Sequence, residues 1–218
     1  MQNFQVAIDG PAGSGKSTIS KKICERIGFT HIDTGAMYRA VTLEALNLGV
    51  DLEKEESYKF LDNITIEYID DHIYLNGKPV GREIRSTRVA ENVSTVAKMP
   101  IVRHKMVELQ QKAAQKGLIL MDGRDIGTVV LPNAGIKIFL TASVEERASR
   151  RFKENQAMGS TEDYQNVLEA IKIRDFKDSN RELNPLRMAD DAILVDTTNM
   201  TIDEVVDTII EIIKRRID

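Results

Sequence analysis

A chain of 218 residues, 42% hydrophobic and 29% charged, has a soluble globular composition and room for one substantial α/β domain with small insertions. Its net charge of −4 removes the basic field that nucleic-acid binders present, and no apolar run reaches membrane-spanning length, so neither partner is expected. Cys24 is the only cysteine, which excludes an intrachain disulfide; with no charged leader before the first strand, a reducing cytoplasm is the expected location.

Phe4–Asp9 reads as a short strand. Next comes Gly10-Pro11-Ala12-Gly13-Ser14-Gly15-Lys16-Ser17, which fits G-x-x-x-x-G-K-[ST], with Thr18 directly after it. Glycines let this backbone curl until several N–H groups face one hollow, and the helix starting there adds unpaired donors and partial positive charge. Such a loop cradles phosphates: Lys16 brings a mobile charge to the outer ones and the Ser17 hydroxyl serves Mg²⁺. Ile19, Ile23 and Ile27 keep helical spacing up to Gly28, with Cys24 as core packing.

Phe29–Asp33 is a second predicted strand. Thr34 is expected to cap a helix carrying Met37, Val41, Ala45 and Leu48, which Gly49 ends. Residues 53–62 read as a charged helical piece with a solvated face. The middle leaves the strand–helix alternation. Ile64–Ile69 alternates at period two, Asp70-Asp71 turns, His72–Leu75 pairs back, and Asn76-Gly77 precedes Lys78-Pro79-Val80. A small antiparallel insert is predicted. Val89, Val93 and Val96 mark the next helix. Pro100 opens another, whose stripe is Val102, Met106, Leu109 and Ala113, up to Gly117.

Leu118–Asp122 is a continuous apolar strand and Ile136–Thr141 a fourth. Ser143 with Glu146 forms a capping box for an arginine-rich helix, broken at Met158-Gly159-Ser160. A long polar helix over about 161–182 ends at Asn184-Pro185. Ile193–Asp196 is a fifth strand, and a second capping box, Thr201 with Glu204, starts the last helix. Five short buried strands separated by helices imply a parallel sheet, whose ligands bind beyond the carboxyl ends of its strands. Asp9, Asp33, Asp122 and Asp196 stand there, suited to Mg²⁺ handling or a polar substrate edge; for Asp196 and Asp9 loop capping is the expectation. His31, His72 and His104 show no metal-ligand spacing and read as structural or surface residues.

Arginines gather near the same edge: Arg39, Arg103, Arg124, Arg174, Arg181, and Arg147, Arg150 and Arg151 within one turn. Phosphoryl transfer between two anionic nucleotides needs several cations, and the planar guanidinium grips phosphate with two bonds. No Asn-Lys-x-Asp segment, the signature of a guanine-reading switch, is present.

Asp33-Thr34-Gly35-Ala36-Met37-Tyr38-Arg39, Asp122-Gly123-Arg124-Asp125-Ile126-Gly127-Thr128 and Arg174-Asp175-Phe176-Lys177-Asp178-Ser179-Asn180-Arg181, together with the P-loop, resemble the signature segments of bacterial cytidylate kinases in order and spacing. The resemblance spans nearly the whole chain. It implies a P-loop kinase core with a five-stranded parallel sheet flanked by helices, a small antiparallel β insert that binds the monophosphate, and a short helical lid. It also implies ATP- and Mg²⁺-dependent phosphorylation of CMP and dCMP. Carried over by position, Arg39 and Arg124 hold the CMP phosphate with Arg181 near it. Thr34, Arg103 and Asp125 read cytosine, and Ser94, Arg174 and Asp178 contact the sugar. Arg147 lies over the ATP adenine and Arg151 near its outer phosphates, so Lys16, Arg124 and Arg151 are the expected catalytic residues. Thr34 and the trio Phe176, Lys177 and Ser179 depart from the family's commoner residues.

The expected organisation is a core of 1–62, 100–146 and 161–218, an insert of 63–99, and a lid of 147–160, in a monomer. Two other readings stay open: a related P-loop kinase with UMP, AMP or a small hydroxyl acceptor, and a nucleotide-dependent binding module.

Overall fold

The computed structural model describes residues 3–69, 72–157 and 159–217. The expected Asp70-Asp71 turn and Met158 lie outside them. Elements follow in chain order as β1 (Phe4–Asp9), α1 (Lys16–Ile27), β2 (Thr30–Asp33), α2 (Thr34–Leu48), β3 (Ile66–Ile69), β4 (His72–Leu75), β5 (Lys78–Pro79), α3 (Thr87–Lys98) and α4 (Pro100–Ala113). The second half adds β6 (Leu118–Gly123), β7 (Ile136–Thr141), α5 (Val144–Ala157), α6 (Tyr164–Asn180), β8 (Ile193–Asp196) and α7 (Ile202–Ile217). The chain forms two compact units, one of Met1–His31 with Gly117–Asp218 and one of Ile32–Lys116.

Five parallel strands among the described residues lie in the order β2-β6-β1-β7-β8. β1 is central, pairing Phe4 to Asp9 with Leu118 to Gly123 on one side and Val6 to Asp9 with Ile136 to Phe139 on the other. Strands covered on both faces are predominantly apolar, as in Leu118–Met121 of β6 and Val6–Ile8 of β1. Lys137 interrupts β7 and pairs with Asp191 at 2.9 Å. Val6, Ile8, Leu120, Ile138 and Leu140 pack with Ile19 and Ile23 of α1 and Val205, Val206, Ile209 and Ile213 of α7. Each such side chain contributes about 1.5–3 kcal/mol by burial. β8 departs from the expected buried strand: it is an edge, with Ile193 and Leu194 exposed and Val195 alone of its four residues buried.

In the second unit, the three-stranded antiparallel sheet β3-β4-β5 confirms the predicted insert. Asn76 and Gly77 both have positive φ, 49° and 76°, as a two-residue hairpin turn between Leu75 and Lys78 requires. Asp33, rather than Thr34, caps α2, accepting from the Ala36 N–H at 3.0 Å; Thr34 is the first helical residue and is buried. The piece at 53–62 is a 3-10 helix, Glu55–Asp62, kinked at Tyr58, whose buried ring sends its hydroxyl to the Leu52 carbonyl at 2.8 Å. On α4 the buried positions are Val102, Arg103, Met106 and Gln110; Ala113 is exposed and Leu109 only half-buried. Two polar side chains therefore occupy places the apolar stripe would have filled.

The two capping boxes differ. Thr201 and Glu204 bond reciprocally at 2.8 and 3.3 Å. Ser143 caps the Glu146 N–H at 3.2 Å, but the Glu146 carboxylate turns to Arg150 instead. The polar helix is shorter than expected: Asp163 caps it by accepting from the Asn166 N–H at 3.0 Å, and extended backbone at Arg181 ends it.

Candidate active site

The phosphate loop follows β1 in the first unit. Gly10 has φ +153°, and a Cβ there would stand 2.0 Å from the Leu140 carbonyl oxygen of β7, so the loop leaves the sheet through a gap only glycine fits. Gly15, at φ +86°, precedes α1 without a side chain to close the helix end, whose N–H donors are thereby suited to an anion. Lys16 is buried and folds back on the loop, donating to the Pro11 carbonyl at 2.8 Å and the Ser14 hydroxyl at 3.1 Å. Burial pushes its amine well below the usual lysine range; the Arg124 and Arg174 charges push the same way, against Asp122 and Asp9. A group in this state is stabilised by an arriving phosphate.

Ser17 donates its hydroxyl to Asp122 Oδ2 at 2.8 Å, and His31 Nε2 lies 2.6 Å from Asp122 Oδ1. One hydroxyl and one carboxylate, both oxygen donors, suit a hard divalent cation that keeps its remaining contacts with phosphates and waters. Among the described residues, no cluster of three or more His, Cys, Asp or Glu could hold a metal alone. The residues present thus fit Mg²⁺ carried in on a nucleotide.

Asp9 does not cap its own loop. It reaches across to the π-turn Ile126–Val130, accepting from the Ile126 and Gly127 N–H groups at 2.8 and 2.7 Å. Burial raises its carboxyl to about 6, although those two bonds oppose the shift. Asp196 does serve its loop, accepting from the Thr198 N–H at 2.9 Å and from its hydroxyl.

The Asp9 clamp fixes the segment that carries Arg124 and Asp125. Arg124 Nε donates to Asp178 at 2.9 Å, and Arg181 Nη2 lies 3.3 Å from Asp125. Arg174 and Asp178 lie four residues apart on one face of α6, and Arg181 follows at its extended C-terminal end. Burial raises the Asp178 carboxyl, but Arg124, Arg174 and Arg181 outweigh it and hold it below the usual carboxylate range. Arg124 and Arg181 thus each rest on a carboxylate of the same unit.

The arginine turn of α5 divides by role. Arg147 is buried, donating to the Ala142 and Ala12 carbonyls at 3.0 and 2.9 Å and to Asp175 at 2.5 Å. Asp175 also accepts from the Ala12 N–H at 3.2 Å, so the pair braces the phosphate loop. Arg150 holds Thr197 beyond β8 through its hydroxyl and carbonyl, at 3.0 and 2.8 Å. Arg151, more exposed, pairs with Glu154 at 3.2 Å, and Thr18 is exposed on the first turn of α1.

The second unit carries the remaining expected residues. Arg39 donates to the Ile84 carbonyl at 3.4 Å. Arg103 is 1% exposed, 5.5 Å from the Tyr38 ring centroid, and donates to the Ala97 carbonyl at 3.2 Å. Thr34 opens α2, and Ser94 is half-buried on α3. Sequence reasoning missed Asp175 and His31 as parts of the phosphate end. Asp175 sits one residue from Arg174 in a segment already singled out, but its bond to the loop joins residues 163 positions apart.

A sequence model of the cytidylate kinase family matches residues 6–215. The chain belongs to the cytidylate kinase family. Curated cytidylate kinases are close to it: that of Acholeplasma laidlawii is 53% identical over 98% of this chain and 96% of its own length. Those of Lactobacillus johnsonii and Limosilactobacillus reuteri are 51% and 49% identical, over 98% and 100% of this chain and 95% and 98% of theirs. Two crystal structures at 15% identity share the fold: an uncharacterized protein from Eubacterium ventriosum (TM-score 0.57; 99% of this chain, 100% of that one) and TT1252 from Thermus thermophilus (0.51; all of both chains).

Proposed function

We propose that this protein is a nucleoside monophosphate kinase that transfers the γ-phosphoryl group of ATP to CMP, giving CDP and ADP, with dCMP as a second acceptor. The observation that carries the reading is the P-loop, with Lys16 buried beside the Arg124 and Arg174 charges, in a chain about half identical to named cytidylate kinases along its length. The loop from Gly10 to Ser17, with Thr18, takes the ATP phosphates. Ser17, with the Asp122 carboxylate beside it, would hold Mg²⁺, which would neutralise charge on the phosphates. Arg124 and Arg181 exchange their carboxylate partners for the CMP phosphate, and Arg39 is assigned to the same phosphate by resemblance.

An oxygen of CMP attacks the γ-phosphorus in line. That oxygen is already anionic near neutral pH, so no strong general base is required. Catalysis is then positioning and charge stabilisation: Lys16 leaves the Pro11 carbonyl for the γ-phosphoryl oxygens and Arg151 follows them. Arg147, which braces the loop through the Ala12 carbonyl, is assigned over the ATP adenine by resemblance. Arg174, Asp178 and Ser94 serve the sugar. Thr34, Arg103 and Asp125 read cytosine, whose exocyclic amine donates to a carboxylate; uracil presents an acceptor there and is refused. Residues 147–160 act as a lid that excludes water, whose attack would waste ATP.

The test is Asp125→Ala. The preference for CMP over UMP in kcat/KM falls by about tenfold or more, through a selective loss with CMP. Equal losses with both acceptors would instead assign Asp125 to holding Arg181 and contradict the cytosine reading.

A further inference from the structure

We propose that His31 is a positioning residue for the cation end of the phosphate loop, acting through Asp122 on Ser17. Three elements meet there. His31 stands on β2, Asp122 in β6 and Ser17 in the first turn of α1. The side chains of His31 and Asp122 are 15% and 4% exposed, so this carboxylate is oriented by protein groups rather than by bulk water.

The geometry assigns each proton. A carboxylate oxygen only accepts, so His31 Nε2 donates to Oδ1 across 2.6 Å. Oδ2 then accepts the Ser17 hydroxyl at 2.8 Å. The Ser17 hydrogen is thereby turned inward and its lone pairs are left to face a ligand. A carboxylate held by Ser17 alone could still rotate about its Cβ–Cγ bond; a second anchor on the other oxygen, from a different strand, removes that freedom. The His31 bond also draws off part of the charge on Oδ1, which leaves Oδ2 and Ser17 as the paired oxygen face. Outer partners of this kind fix the direction of the groups that meet a metal. The phosphate-loop pattern does not include this position, and His31 on its own reads as an ordinary structural histidine.

The inference rests on the reading of the P-loop as a nucleotide site. Its test is Mn²⁺ binding to the full-length protein with ADP, followed by electron paramagnetic resonance, alongside ADP affinity measured without metal in EDTA. His31→Gln keeps a donor at the Nε2 position and His31→Leu removes it. In the ADP complex, His31→Leu binds Mn²⁺ about tenfold more weakly than the native chain and His31→Gln restores most of the loss, while metal-free ADP affinity stays the same in all three. Mn²⁺ affinity that is the same for His31→Leu and the native protein overturns the proposal. So does an equal loss of metal-free ADP affinity in His31→Leu, which would make His31 a packing residue. A native chain that binds metal-free ADP but not Mn²⁺ with it overturns the cation site and His31's role together, and a native chain that binds no ADP overturns the nucleotide reading itself.

Discussion

The chemistry of single residues here is dominated by cations that already have partners. Arg124 rests on Asp178, Arg181 on Asp125 and Arg147 on Asp175, at 2.9, 3.3 and 2.5 Å. A buried ion pair is weak evidence of stability, because desolvation offsets much of the attraction. Its effect here is to hold each guanidinium group in one direction. Asp9 gives a measurable case of burial outweighing hydrogen bonds. Its folded carboxyl titrates at about 6 against an ordinary 3.8, so the folded state binds the proton more tightly. The stability this contributes is full below about pH 4 and is lost as pH rises through about 6, a change of roughly 3 kcal/mol. Urea unfolding of the wild type and the non-titrating Asp9→Asn protein should show the wild type's relative stability falling from pH 4 to 7; a relative stability that grows with pH contradicts this. Residue identity was legible where a motif demanded it, as at Lys16 and Ser17. Burial was not legible at Arg103 and Gln110, because an apolar stripe cannot announce that polar side chains fill two of its places.

At the scale of elements, the phosphate loop depends on β7 as much as on its own glycines. The Leu140 carbonyl leaves no room for a Cβ at Gly10, whereas at Gly28, φ +74°, nothing lies within 4 Å. Gly10→Ala therefore costs at least about 3 kcal/mol and ATP binding, while Gly28→Ala costs only the left-handed penalty of about 1 kcal/mol. Chemical denaturation with ATP titration checks both, and equal effects would contradict the wedge. The alternation of strands and helices was readable because β1, β6 and β7 are predominantly apolar, with Gln5 and Lys137 the polar interruptions, and α1 and α7 keep helical spacing. β8 was misread as buried because an edge strand with exposed Ile193 and Leu194 has the same letters as a central one. The arginine turn looked uniform in sequence, yet Arg150 is an anchor for Thr197, since only folding brings a loop 47 residues away beneath it.

At the scale of the whole molecule, the first unit carries the phosphate loop, Arg124, Asp125 and the α6 face; the second carries Thr34, Arg39, Ser94 and Arg103. The hairpin expected over 63–99 lies inside that second unit, and its turn was legible because Asn76-Gly77 suits positive φ at both positions. No helix among the described residues is long and apolar enough to cross a membrane. Within the first unit α5 packs on α6 through Ala148, Val167, Leu168 and Ile171, with Phe152 edge-on to Tyr164 at 6.0 Å. If the segment from 147 closes as a lid, amide hydrogen exchange across Val144–Ala157 slows when ATP and CMP analogues are both bound; exchange that is unchanged contradicts closure.

Whether the protein carries out an acceptor-specific phosphoryl transfer is decided by ADP release from Mg·ATP with CMP, dCMP, UMP or AMP as the sole acceptor. Turnover is expected to be strong with CMP and dCMP and slight with UMP or AMP, and kcat to fall on the order of 10²–10³ in Lys16→Ala. Turnover with a different acceptor would keep the fold and overturn the cytosine assignment, and tight ATP binding without turnover on any of the four would contradict the kinase reading itself.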